Sequence, residues 1–312
     1  MQETNIKTLY VIGNGFDLYH GLKSSYRNYR DWLLENHKEI YKEMVKLYGE
    51  EVSDKLWWGS FEENLGYVPD VRERIEEIAD SFEPDEEKDS FNPEEGGRCV
   101  DNKLSSLVNS LKSTFAEWVN SLGTPQGNKI KFDTKNCLYL SFNYTHTLED
   151  YYKISPKIVK HIHGDIKRQK FILGHGRSKE EIYDDTAAPI APWDGTSSPS
   201  DHGLDGVDNE NYANVRKAYA KNILSIRKNT KQIIHDNKHF FSKLANVQKV
   251  VFVGFSFSCV DILYFKKIID SVLNNVSVSA TYYSEGDKDK INEVSRKFSC
   301  KIQPIQIGDL TE

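Results

Sequence analysis

The sequence predicts an α/β protein with a parallel sheet and a large helical insertion, and three observations carry that reading. The apolar run Leu9-Tyr-Val-Ile12 breaks into Gly13-Asn-Gly15 and then into a helix-like pattern, the order of a strand, a tight loop and a helix. Between about residues 24 and 125 apolar positions recur at helical spacing. From Cys137 onward short apolar runs alternate with polar loops, as strands buried on both faces of a parallel sheet do.

The glycine stretch reads as the first strand and phosphate loop of a nucleotide-binding domain. Gly13 and Gly15 let the backbone turn tightly and approach a ligand, and the amides of the following helix attract anions. The spacing departs from G-x-G-x-x-G, because Leu18 stands three after Gly15 and the next glycine is Gly21. An ordinary Rossmann dehydrogenase is therefore disfavoured.

The elements follow in order. Ser24 and Ser25 are placed to cap a helix carrying Tyr26, Tyr29, Leu33, Ile40, Met44 and Leu47. Ser60 and Glu63 have capping-box spacing ahead of a segment with Trp58, Phe61 and Leu65, aromatics best used as core. Residues 83–98 are acidic and rich in Pro and Gly, which predicts an exposed loop. Leu104 to Leu122 is an amphipathic helix stopped by Gly123 and Pro125. Leu138–Phe142, Ile158–Ile162, Phe171–Leu173, Lys249–Gly254 and Val276–Tyr282 read as strands. Asn143 or Thr145 could cap the helix after the first of these. Residues 184–211 form an aperiodic loop of the kind used as a lid, and 212–244 one or two helices. Ser258 and Asp261 again have capping-box spacing, and Pro304 confines Ile302–Ile307 to a sheet edge. The domains are thus a core of 1–23 and 126–312, interrupted by a helical insertion, 24–125.

A net charge of −6 over 312 residues gives no general attraction to nucleic acid or anionic membranes. A small molecule or a protein is the expected partner. No apolar run reaches membrane-spanning length and no leader pattern opens the chain, so a cytoplasmic location is expected. Cys99, Cys137, Cys259 and Cys300 lie far apart, which predicts free thiols and no zinc ribbon. Trp57, Trp58 and Tyr67 could join copies of the chain into a homo-oligomer, with core packing the favoured use.

Four strand ends offer polar groups to one rim: Asn14 and Asp17, Asn143, His163, and Ser256 with Asp261. Singly, Asn143 reads as a helix cap and His163 as a structural histidine. Together they define a candidate ligand site.

Read as a set, Gly13-Asn-Gly15, Phe142-Asn143, His161-Ile-His163-Gly164 and Gly254-Phe-Ser256 resemble the sirtuin-like, Rossmann-like nucleotide-binding fold. With Ile12-Gly-Asn-Gly-Phe-Asp17, Gly21-Leu-x-Ser-Ser-Tyr26, Trp58-x-x-Phe61-Glu62, Ser141-Phe-Asn-Tyr-Thr145 and Gly254-Phe-Ser-Phe257, the chain more closely resembles the bacteriophage abortive-infection AbiH family. The resemblance implies an anti-phage protein, with a phage-derived trigger as a partner and NAD as substrate or ligand. It also implies that Asn143 and His163 are the catalytic pair of an NAD hydrolase. Gly13, Asn14, Gly15, Asp17, Gly254, Ser256 and Asp261 would line the nucleotide. Thr145 stands where sirtuins place the aspartate that reads nicotinamide, and the zinc-binding cysteine pairs are missing, so peptide deacylation is disfavoured.

Two alternatives stay open: a nucleotide sensor without turnover, and a metal-dependent hydrolase using His161, His163 and His175 with Asp17 or Asp261. No metal is expected in the leading reading.

Overall fold

The computed structural model describes residues 6–82, 92–133, 135–168, 170–187 and 206–310, with side chains from 210 in the last segment. Six parallel strands form the main sheet: β1 (Thr8–Ile12), β2 (Cys137–Ser141), β3 (Val159–His161), and further along the chain three more. A small antiparallel ribbon, β4 (Gly164–Asp165) and β5 (Lys170–Phe171), intervenes before β6 (Lys249–Val253), β7 (Ser277–Tyr282) and β8 (Ile302–Gln306). The sheet order is β3-β2-β1-β6-β7-β8. Counting sheet strands alone, this is 3-2-1-4-5-6, the doubly wound order whose switch point lies between the first and fourth strands.

Alternation explains why these apolar runs became central strands. Leu9 and Val11 join Leu138, Leu140, Val250 and Phe252 in the core on one face, whereas Tyr10 and Ile12 join Cys137, Tyr139, Val251 and Val253 on the other. Fully buried side chains such as Leu9 and Phe252 each contribute about 1.5–3 kcal/mol. Pro304 pairs opposite Ala280 in the edge strand β8, where its missing amide costs the sheet least.

The chain divides into two compact units, 1–32 with 115–172 and 228–312, and 33–114 with 173–227. The first holds the sheet. In the second, Val71, Ile75 and Ala79 of one helix (Val71–Ser81) pack with Tyr212, Val215, Ala218 and Tyr219 of another (Gly206–Ser225). That shared apolar face brings 173–227 together with the helical segment, a stretch the sequence reading kept with the core. Also in this unit, Trp58 stacks on Phe61 at 5.0 Å and donates its indole N–H to the Val52 carbonyl, the core use expected of these aromatics.

Several local expectations are corrected. The long helix Glu95–Ser121 begins inside the expected acidic loop. Its Gly97 lets the backbone approach Asn214, where a Cβ would lie 2.8 Å from the Asn214 carbonyl carbon. The rest of that loop, 83–91, lies outside the described residues, as do 188–205 of the expected lid. Residues 206–211 are helical rather than loop. Ser60 makes no capping bond, and Phe61–Asn64 is a single turn. Ser25, by contrast, accepts from the Asn28 amide, as expected of a cap. Among the described residues no helix is long and apolar enough to cross a membrane.

Candidate functional site

The glycines of the first loop meet those after β6 at the sheet's switch point. Gly13 N–H donates to the Val253 carbonyl and Gly15 N–H to the Gly254 carbonyl, both at 2.9 Å. A Cβ on Gly13 would stand 2.5 Å from the Gly254 oxygen. Gly254 itself has φ +60, and a Cβ there would lie 2.1 Å from the Phe16 nitrogen. The glycines are therefore required for backbone-on-backbone packing. The amides of Gly13, Gly15 and Phe16 are all bonded to protein carbonyls and so are not presented to a ligand in this arrangement. Asn14, exposed, donates to the Ser24 carbonyl at 2.9 Å, which links the glycine loop to the Ser-Ser segment that follows it.

Behind this loop lies a buried carboxylate. Asp17, 1 % exposed, accepts from the Thr145 hydroxyl at 2.5 Å and the Thr147 hydroxyl at 2.7 Å. Burial pushes its pKa up to about 6, against the opposing effect of the two threonines and the neighbouring Asn143 amide. Thr145 thus supplies a hydroxyl to the carboxylate of another strand end. Neither Asn143 nor Thr145 caps a helix: the short helix Thr147–Asp150 starts from His146 without a side-chain cap.

Asn143 follows β2 and is buried. It lies against Asp17, yet neither its Nδ2 nor its Oδ1 has a hydrogen-bond partner of good geometry among the described residues. His163, 2 % exposed, follows the neighbouring β3 and has a partnerless Nε2 as well. Its Nδ1 faces the Lys228 ammonium at 3.4 Å, and Phe142, Tyr144 and Tyr264 surround the ring. Burial first, and Lys228 second, hold its pKa well below the ordinary value, so the imidazole is neutral. Buried polar atoms without partners are costly; what sets Asn143 and His163 apart is that both stand at the carboxyl ends of neighbouring sheet strands, where open α/β sheets bind ligands.

A second polar set adjoins the first through the Asn143 carbonyl, which faces His161 Nδ1 at 3.2 Å. His161 Nε2 meets Glu149 Oε1 at 2.8 Å, and His146 Nε2 meets Asp165 Oδ1 at 3.0 Å. Burial lowers the His161 pKa, but the Glu149 carboxylate together with the Asn143 carbonyl and Asp165 outweighs it, so the net shift is upward. Ligand atoms of His146, Glu149 and His161 all fall within 4.8 Å of one another. An open cleft of about 150 Å³ is lined by Leu22, Gly123, Tyr144, Thr145, His146 and Thr147, among others.

Ser256 is exposed, and the Ser258 hydroxyl donates to Asp261, which stands at the N-terminus of the helix Ile262–Ile269. The capping-box spacing thus yields a side-chain pair ahead of the helix. His175 uses both ring nitrogens within its own unit: Nε2 meets the Ile223 carbonyl and Nδ1 accepts from the Arg177 amide. Burial takes its pKa down to about 4, and it serves structure, not a metal. Sequence reasoning missed Lys228, which carries no motif, and the pair His146 and Glu149. The latter had a usable signal, since residues three apart share one helical face.

A doubly wound α/β unit with buried, unsatisfied polar groups at its strand ends has the layout of a ligand-binding protein. The family model for "Bacteriophage abortive infection AbiH" matches residues 9–282, and the chain belongs to the AbiH family, which implies a role in phage abortive infection. No curated protein matches the chain.

Proposed function

We propose that this AbiH protein acts in abortive infection as an NAD hydrolase of sirtuin-like type, with Asn143 and His163 contacting the ribose. The carrying observation is that Asn143 and His163 stand buried at neighbouring strand ends, Asn143 beside the Asp17 carboxylate and His163 with an Nε2 that meets no partner among the described residues. In the reaction the bond between nicotinamide and ribose breaks, a water oxygen bonds to the ribose carbon, and that water gives up a proton. Positive charge grows on the ribose before water arrives, so the site must stabilise a cation. Asn143 orients the water and the ribose hydroxyl without titrating. His163, neutral, can accept the proton, though its low pKa makes it a weak base. Asp17 is a positioning residue: held behind Thr145 and Thr147, its carboxylate supplies negative potential to the same strand end.

The test is purified protein incubated with NAD, with nicotinamide and ADP-ribose followed by mass spectrometry. Turnover lost in both Asn143→Ala and His163→Ala, each still folded, supports the reading. Absence of turnover, with and without lysate from phage-infected cells, refutes it. A sensor that binds the nucleotide without cleaving it is the second reading, favoured by the bonded amides of the glycine loop and the weak basicity of His163. NAD that raises thermal stability without yielding product selects it.

A further inference from the structure

We propose that His146, Glu149 and His161 form a binding site for one divalent transition-metal ion of the zinc class, reached from the cleft that His146 lines. The three side chains come from two anchored places. His161 ends β3 in the sheet, paired with Ser141, and His146 and Glu149 share the turn that opens the helix Thr147–Asp150. Four-coordinate zinc with nitrogen and oxygen ligands at about 2.0–2.1 Å places neighbouring ligand atoms roughly 3.3 Å apart. Here Glu149 Oε1 stands 2.8 Å from His161 Nε2 and 3.9 Å from His146 Nδ1, values that bracket that spacing.

Each imidazole is also oriented as a metal ligand is. A ligating histidine commonly donates its second N–H to a carboxylate or a backbone carbonyl, which fixes ring and tautomer. His161 turns Nε2 to Glu149 and Nδ1 to the Asn143 carbonyl. His146 turns Nδ1 toward Glu149 and Nε2 to the Asp165 carboxylate. Both orientations bring the remaining ring nitrogen to one carboxylate, His161 Nε2 in contact with Glu149 Oε1 and His146 Nδ1 3.9 Å from it.

A hydrogen-bonded network without an ion is the competing account. It leaves Glu149 Oε2 buried and without a partner, on a side chain only 10 % exposed. A buried carboxylate oxygen left unsatisfied is expensive, and a bidentate or bridging contact to a cation removes that cost. Two imidazoles and one carboxylate select zinc, cobalt, nickel or ferrous iron over magnesium and calcium, which take oxygen ligands. His146 is shared between the cluster and the open cleft, so an ion has a route in, and an exchangeable ligand such as water can complete its coordination.

The experiment is a titration of the chelator-treated, dialysed full chain with zinc sulfate, read by calorimetry, alongside cobalt substitution read by visible absorption and X-ray absorption. One ion per chain is expected, with a first shell containing two imidazoles. Asp165→Asn, which keeps an acceptor for the Lys167 amide but removes the carboxylate that orients His146, should weaken binding roughly 10- to 100-fold, and Glu149→Ala or His161→Ala more. His235→Ala, at an exposed histidine, should leave binding unchanged. If a ligand variant fails to fold, the X-ray absorption of the wild-type cobalt protein decides through its imidazole count. Absence of stoichiometric binding, binding that survives loss of Glu149 or His161, or a first shell without histidine overturns the proposal. None of these readouts depends on NAD turnover, so failure here and failure of the hydrolase reading are separate results.

Discussion

Replacing Asp17 by Asn keeps the shape of a side chain that two threonine hydroxyls hold and removes the charge that burial penalises. In the folded protein the Asp17 pKa is about 6, against an ordinary value of 3.8. The folded state therefore holds this proton more tightly than the unfolded chain does. Stability from this group is fully present below 3.8 and is lost as pH rises through 6. At 1.36 kcal/mol per tenfold change, the whole loss is about 3 kcal/mol, of which about 2 kcal/mol falls between about pH 4.5 and pH 7.5. Urea unfolding of wild type and Asp17→Asn at both pH values isolates the effect, because every other titrating group is common to the two proteins. The wild type should lose about 2 kcal/mol relative to the variant on going to the higher pH. A difference that stays flat, or that moves in favour of the wild type, would refute the account of Asp17 as a carboxyl whose charge the fold does not fully compensate.

Other outcomes follow from the same geometry. Gly254→Ala should cost more than about 4 kcal/mol or prevent folding, since its Cβ meets the Phe16 nitrogen; Gly21→Ala, also left-handed but in open space, should cost only about 1–2 kcal/mol, both read by thermal unfolding. Burial holds His20 and His175 near 4, so their ring proton resonances should not shift down to about pH 5; a midpoint near 6.5 for either would contradict their enclosure. The sign is opposite to that of Asp17: these histidines take up protons on unfolding, so stability falls as pH drops below 6.5 toward 4. Trp58→Ala, which empties a fully buried site and deletes an indole hydrogen bond, should cost about 3–5 kcal/mol in denaturant unfolding.

The sheet was legible because its strands are short apolar runs whose alternate residues feed two separate cores. Leu9–Ile12, Leu138–Ser141 and Lys249–Val253 stand where their sequence places them, and Pro304 marked its strand as an edge. Element boundaries were less legible. Gly96 and Gly97 look like loop residues, yet they sit in a helix where close neighbours take the space a side chain would fill, the side chains of Asn211 and Val215 at Gly96 and the Asn214 backbone at Gly97. The glycines at the switch point showed the same ambiguity: a sequence cannot distinguish a glycine cleared for a phosphate from one cleared for the Gly254 backbone. Asn143 and Asp17 were recognised as polar strand-end residues, but the service of Thr145 and Thr147 to Asp17 needs a contact across more than a hundred residues of chain. Lys228 could not be singled out, because its burial and its place beside His163 and the Tyr144 ring arise from the fold and leave no mark in the sequence.

The position of β1 has a bearing on how the protein is made. This strand leaves the ribosome first among the six, but it lies at the centre of the sheet, with Thr8 paired to Cys137 on one side and to Lys249 on the other. Its two neighbours are synthesised much later, and loop-closure entropy makes such distant pairings slow. During translation one edge of Thr8–Ile12 therefore has no strand to pair with until the Lys249–Val253 segment emerges. A nascent chain halted before that point would lack the Val253 and Gly254 carbonyls that the glycine loop bonds, and half of the switch point would be missing.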